Sequence, residues 1–127
     1  MEKSYDIIIG GGGIIGSLMA LALVDQGLNV AIVDGVPLEK KQNLKFDGRA
    51  YALSTTTVKM LSVLNVWDKI LKTAQPIFDM KVSDGIAGKG AFPFYMHFSH
   101  SDVDVGPIGY MVEDRLLKGI LLLYHYH

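Results

Sequence analysis

The sequence predicts an α/β fold that opens on a strand, a glycine turn, a helix and a second strand, and continues into a β-rich segment. Three observations predict it. Asp6-Ile7-Ile8-Ile9 is a short β-branched run of the kind found in strands buried on both faces. Glycines 10 to 13 follow it directly, and then a Leu-, Ala- and Met-rich stretch from Ile14 to Gln26. Beyond residue 76 the period changes to the alternation of a half-buried strand, with Phe78, Met80 and Val82 set between Asp79, Lys81 and Ser83.

Each element follows from its residues. Gly27 stands where a helix C′ glycine belongs, and Leu28 to Val33 then reads as the second buried strand, ending at Asp34. Gly35 to Asp47, with Pro37 and the run Glu39-Lys40-Lys41, reads as a solvated surface loop holding at most a short helical piece. Val58, Leu61 and Leu64 recur at helical spacing over Thr55 to Leu64, with Ser54 or Thr55 as cap and Asn65 at the end. Val66 to Thr73 is a second short helix before Pro76. Asp84-Gly85 signals a turn, Phe92 to Phe98 a returning strand, Ile108 to Val112 a third strand, and Glu113 to Leu123 a helix. Trp67 is expected in the core.

Composition narrows the function classes. The chain of 127 residues fits one domain, half of it hydrophobic and a fifth charged. A net charge of −1 carries no electrostatic footprint for nucleic acid. The absence of cysteine excludes disulfides, thiol catalysis and Cys-ligated zinc. His97, His100, His125 and His127 show no recognisable ligand spacing, so no metal is expected, and the last two lie where chains fray. The apolar stretch from Ile7 to Leu23 is cut by five glycines and reads as strand, turn and helix rather than a membrane span. No secretory signal is evident, so the expected location is cytoplasmic, with peripheral contact at the inner membrane left open.

The chemistry is carried first by Gly11-Gly12-Gly13-Ile14-Ile15-Gly16, which fits G-x-G-x-x-G. In a Rossmann-like unit Gly11 makes the tight turn, Gly13 admits a pyrophosphate to the backbone, and Gly16 packs helix against sheet. The free N–H groups and positive dipole end of the new helix suit a diphosphate. Asp34, 18 residues after Gly16, is placed to accept the adenosine ribose hydroxyls and to repel a 2′-phosphate, which argues against NADP. This unit alone does not separate FAD from NAD.

A second block does. Asp47-Gly48-Arg49-Ala50-Tyr51-Ala52-Leu53-Ser54 resembles the D-G-R-x-x-A-L-S segment of flavin-dependent aromatic hydroxylases. The likeness is to the ubiquinone-biosynthesis hydroxylases, within the wider class similar to p-hydroxybenzoate hydroxylase. Val66-Trp67 resembles the family's Gly-Val-Trp turn, with Asn65 in place of glycine. Met80 to Asp84 resembles its first substrate-side strand, and Ile108-Gly109-Tyr110-Met111-Val112-Glu113-Asp114-Arg115 its I-G-Y-x-V-E-N-R segment, with Asp114 in place of asparagine. The resemblance runs from residue 5 to about 120.

It implies FAD as the held cofactor, NAD(P)H as reductant, O2 as co-substrate and an aromatic or polyprenylated phenol as substrate. It also implies that Arg49 lies by the flavin and Arg115 near its ribityl chain or ring; ordinary surface positions are the alternative for both. Catalytic residues are not assigned. On this resemblance residues 1–76 are the N-terminal part of an FAD-binding domain, 77–112 partial substrate-side strands, and 113–127 a C-terminal helix with a divergent tail. The family's second flavin segment, with its Gly-Asp pair, has no counterpart here, so the fold is expected to be incomplete and the chain a truncated product, inactive alone. Two other classes stay open. A NAD-dependent dehydrogenase fragment is disfavoured by the lack of a helix after Asp34. A non-enzymatic dinucleotide-binding or interaction module, or contact with a biosynthetic complex, would use an open sheet edge.

Overall fold

A computed structural model describes residues 4–42, 44–102 and 106–126, with side chains as far as Tyr124. The expectation about His125 and His127 therefore falls outside the described side chains. The fold is mixed α/β, with the βαβ unit first and the β-rich segment after it.

Strand β1 (Ile7–Gly10) pairs in parallel with β2 (Val30–Val33), Ile7 opposite Val30, and helix α1 (Ile14–Asp25) connects them. α1 ends as the sequence predicts. Gly27 takes φ +82°, its N–H bonds Val24 O, and the Leu28 N–H reaches back to Leu23 O. Burial on both faces does not hold, because Ile8 is 68% exposed and Val33 61%. In this two-stranded sheet α1 packs on the strands, and among the described residues no layer covers the other face.

The loop after Asp34 contains one helical turn, α2 (Leu38–Lys41). Strand β3 (Ala50–Ser54) follows, which the sequence reading did not anticipate. It hands over directly to α3 (Thr55–Val63), whose N-terminus is capped by the Ser54 hydroxyl accepting the Thr57 N–H. α3 closes like α1. Asn65 adopts φ +56°, its N–H bonds Ser62 O, and the Val66 N–H bonds Leu61 O. Asparagine tolerates this left-handed conformation better than most residues, which is why it can replace glycine here. A short helix α4 (Trp67–Ile70) and strand β4 (Gln75–Ile77) come next.

β5 (Asp79–Ile86) and β6 (Gly90–Ser99) form an antiparallel hairpin. Its turn falls at residues 87–89, not at Asp84-Gly85. Asp84 accepts the N–H of Gly85 within an irregularity of β5, while Gly88 and Gly90, both with positive φ, shape the turn. The half-burial expected of Phe78, Met80 and Val82 is also absent: they are 45%, 42% and 46% exposed.

Strand β7 (Gly109–Glu113) sits between β3 and β4, antiparallel to both, and leads into α5 (Asp114–Leu122). Pro76 pairs with Tyr110 on the outer strand β4, where its missing N–H is tolerated. One apolar cluster joins these parts: Leu18 of α1, Leu61 of α3, Val66, Trp67 and Ile70 around α4, Val112 of β7, and Leu117 and Leu121 of α5. Trp67 meets Tyr110 edge-on at 4.9 Å. Burying a Leu or Ile fully is worth about 1.5–3 kcal/mol, so this cluster is what fixes α5 against α1 and places β3 beside the glycine turn.

Candidate functional site

The turn after β1 is built from backbone. Gly11 adopts φ +105°, and its N–H bonds Val33 O at 2.7 Å, tying the turn to the end of β2. A Cβ on Gly16 would stand 1.9 Å from the Gly11 carbonyl oxygen, so any side chain there would push the helix off the turn. A Cβ on Gly13 would meet nothing within 4 Å, so its backbone borders open space. Gly13 is the N-cap of α1 and Ile14 begins the helix; no side chain caps it and its first turn carries no acid. Ile15 points outward, 79% exposed. These features fit a diphosphate approaching the helix start closely.

Asp34 closes this end. Its Oδ2 accepts the Gly12 N–H at 2.5 Å and its Oδ1 the Val36 N–H at 2.7 Å. The Lys41 ammonium also reaches Oδ2, at 2.5 Å, and donates to the Gly12 carbonyl at 2.9 Å. The Lys41 hydrogen bond, then the two backbone N–H donors, hold the Asp34 pKa at about 2. Lys41 therefore belongs to the site, contrary to the solvated-loop reading of its run. It offsets the charge on which exclusion of a 2′-phosphate rested.

The facing wall comes from β3 and α5. Asp114 is buried, and three side chains converge on its carboxylate. Tyr51 Oη donates to its Oδ1 at 2.6 Å, Lys118 Nζ lies 2.9 Å from Oδ2, and Arg49 Nη2 3.4 Å from Oδ2. Its own N–H bonds the Arg49 carbonyl at 3.0 Å. Burial pushes the Asp114 carboxyl up, but Lys118, Tyr51 and Arg49 outweigh it and hold the pKa below the usual range. Tyr51 is raised, first by that hydrogen bond to Asp114. Arg49 also pairs with Asp47 through Nη2 at 2.6 Å and Nε at 2.7 Å, and this pairing raises its pKa and lowers that of Asp47. Arg115 Nε bonds Glu113 at 2.6 Å, and its guanidinium lies 5.3 Å over the Phe46 ring.

The two walls border an open cavity of about 380 Å³, within the size range of small-molecule sites. Gly12, Gly13, Asp34, Arg49 and Arg115 line it; Gly11, Ile14, Ile15 and Gly16 do not, and form the turn and helix start behind it. Lys41, Asp114 and Lys118 also line it and were missed in the sequence. The i,i+4 spacing of Asp114 and Lys118 was the available signal; nothing local marks Lys41. Cations outnumber acids around the cavity, with Lys40, Lys45 and Lys118 beside the two arginines, so the site suits an anion. Among the described residues no group of three or more His, Asp or Glu is arranged to hold a metal, and no helix is long and apolar enough to cross a membrane.

A glycine turn closed by a carboxylate at the end of the second strand, beside a cationic cavity, is the arrangement of a dinucleotide-binding fold. A family profile described as "FAD binding domain" matches residues 4–108, and the chain belongs to that family. Within it the chain is 35% identical over 121 residues to ubiquinone hydroxylase UbiL of Rhodospirillum rubrum, covering 95% of this chain and 27% of that protein. Ubiquinone hydroxylase UbiM of Neisseria meningitidis is 29% identical, over 93% of this chain and 26% of the relative. The chain thus spans about a quarter of the length of these curated relatives. Among solved structures, HpxO of Klebsiella pneumoniae in complex with FAD and uric acid superposes with a TM-score of 0.63 at 24% identity, over 94% of this chain and 28% of that one. PqsL of P. aeruginosa, in a variant form, gives 0.69 at 21%, over 94% and 30%. These two show the fold.

Proposed function

We propose that this chain forms the ADP-binding corner of the FAD site in a flavin-dependent monooxygenase that hydroxylates an aromatic ring. The observation that carries the reading is the closure of the glycine turn by Asp34 on one wall of a cavity whose other wall is Arg49 and Arg115. The likeness to UbiL and UbiM supports a polyprenylated phenol of ubiquinone biosynthesis as substrate. When bound and reduced by NAD(P)H, FAD would supply the oxygen-activating chemistry. The chain's own residues would hold it: Gly12, Gly13 and the start of α1 at the diphosphate, Asp34 at the ribose, and Arg49 and Arg115 toward the flavin. Guanidinium suits that last role because its charge is permanent and its donors are fixed in a fork.

On this reading the protein works in the cytoplasm. On the same reading, the 127 residues alone should bind FAD weakly and should not hydroxylate. Titration with FAD, followed by flavin fluorescence and NAD(P)H oxidation, tests both statements. Saturable binding that ADP displaces, without substrate-dependent turnover, is expected. Tight stoichiometric binding with turnover would overturn the inactivity, and NAD outcompeting FAD would favour a dehydrogenase.

A further inference from the structure

We propose that Lys41 is a diphosphate-binding residue of this site, one that exchanges the Asp34 carboxylate for the diphosphate when an ADP moiety binds and so releases Asp34 to the ribose hydroxyls. The proposal rests on the reading of the site given under Proposed function.

The donor count at Asp34 leads to it. A carboxylate offers about four lone-pair positions. Three are taken: by the Gly12 N–H and Lys41 on Oδ2, and by the Val36 N–H on Oδ1. Two vicinal ribose hydroxyls need two positions, so one of the three donors must leave. Gly12 is fixed by the turn, whose neighbouring Gly11 N–H is bonded to Val33 O. Val36 is two residues from Asp34 on the same loop. Lys41 is the donor that can move, being a flexible four-carbon stem at the end of the one-turn helix α2.

Its destination is set by its position. The ammonium lies 2.9 Å from the Gly12 carbonyl and 2.9 Å from where a Cβ on Gly12 would stand, so it hangs over the turn itself. A diphosphate at Gly12, Gly13 and the start of α1 would bring two negative charges next to it. A compact, rotatable ammonium exchanges one anion for another without rebuilding the loop. Asp34 stays ionised after the exchange, because the Gly12 and Val36 N–H groups also lower its pKa.

The test compares the full chain with Lys41→Met, using ADP and adenosine as probes in calorimetric titrations at low salt. Loss of one charge-assisted contact predicts about tenfold weaker ADP binding. Adenosine should bind as well or better, because Asp34 is free from the start. Lys41→Arg should recover most of the ADP affinity. A variant-free measurement runs beside it: the Lys41 Nζ nitrogen resonance in the intact chain should shift with ADP and much less with adenosine. Unchanged or tighter ADP binding by Lys41→Met would overturn the proposal and make Lys41 only a competitor for Asp34. Equal loss of both ligands, or an Nζ resonance indifferent to ADP, would also overturn it. If the unaltered chain binds neither probe, the FAD-corner reading itself fails and takes the proposal with it, an outcome distinct from the others.

Discussion

The two walls of the cavity prepare for an anion by different means. On the glycine wall the donors are backbone N–H groups at the start of α1, and the turn before them is held by the Gly12–Asp34 and Gly11–Val33 hydrogen bonds and by the contact of Gly16 with the Gly11 carbonyl. On the arginine wall the donors are long side chains, and a single buried carboxylate, Asp114, gathers Tyr51, Lys118 and Arg49. The first wall derives its precision from the absence of side chains, the second from a shared counter-charge. A backbone wall tolerates substitutions that leave the turn intact and fails sharply at Gly16. A side-chain wall should lose function in steps.

The largest expected effect is on the glycine wall. Gly16→Val forces a branched side chain into the Gly11 carbonyl and should cost about 3 kcal/mol or more, read as a lower urea midpoint. An undiminished midpoint would mean that the turn is not held by that packing. Asp114→Ala comes next, at about 2 kcal/mol, since it removes the hydrogen bonds of Tyr51 and Lys118 together. Asp114→Asn, which keeps an acceptor for Tyr51, should fall between it and the parent. A loss of similar size in Tyr51→Phe would point to the tyrosine rather than the charge as the organiser.

Acid separates the walls more gently. Asp34 and Asp114 both have pKa values below the ordinary aspartate value of about 3.9. Each therefore adds stability above that value and loses it as pH falls through the folded-state pKa, which for Asp34 is about 2. Stability should be level above about pH 5 and decline between about pH 4 and 2. Lys41→Met should flatten the Asp34 part of that decline, and Asp114→Asn the Asp114 part, in acid-unfolding curves followed by circular dichroism. The smallest effect on stability belongs to Arg49→Ala. Its side chain is 59% exposed and its ion pairs are screened by solvent, so the urea midpoint should barely move. The same variant should weaken FAD much more than ADP in parallel titrations; equal weakening would place Arg49 at the nucleotide rather than at the flavin.

The walls also differed in how far the sequence revealed them. The glycine wall is nearly local: its turn, helix and carboxylate fall within the first 34 residues, and the stops at Gly27 and Asn65 could be placed from residue type. The arginine wall is assembled by pairing β3 with β7, and Tyr51 and Asp114 are 63 positions apart. Only the family resemblance drew attention to Arg49 and Arg115, and β3 went unread because its alternation is short and runs straight into α3. Lys41 escaped because a charge run looks the same whether it faces water or a carboxylate seven residues away. The hairpin turn was misplaced because Asp84-Gly85 carries a turn signature but serves a strand irregularity, with Gly88 and Gly90 turning the chain.

The Asp114 junction has a consequence for the order in which the cavity comes into being. The Gly12–Asp34 contact closes a separation of 22 residues and the Tyr51–Asp114 contact one of 63. Loop-closure entropy makes the longer closure costlier by about 1 kcal/mol. During synthesis the first contact can also form while residue 114 is still unmade. The glycine half of the pocket can thus close in a nascent chain before the arginine half, whose Arg49 and Tyr51 wait for Asp114.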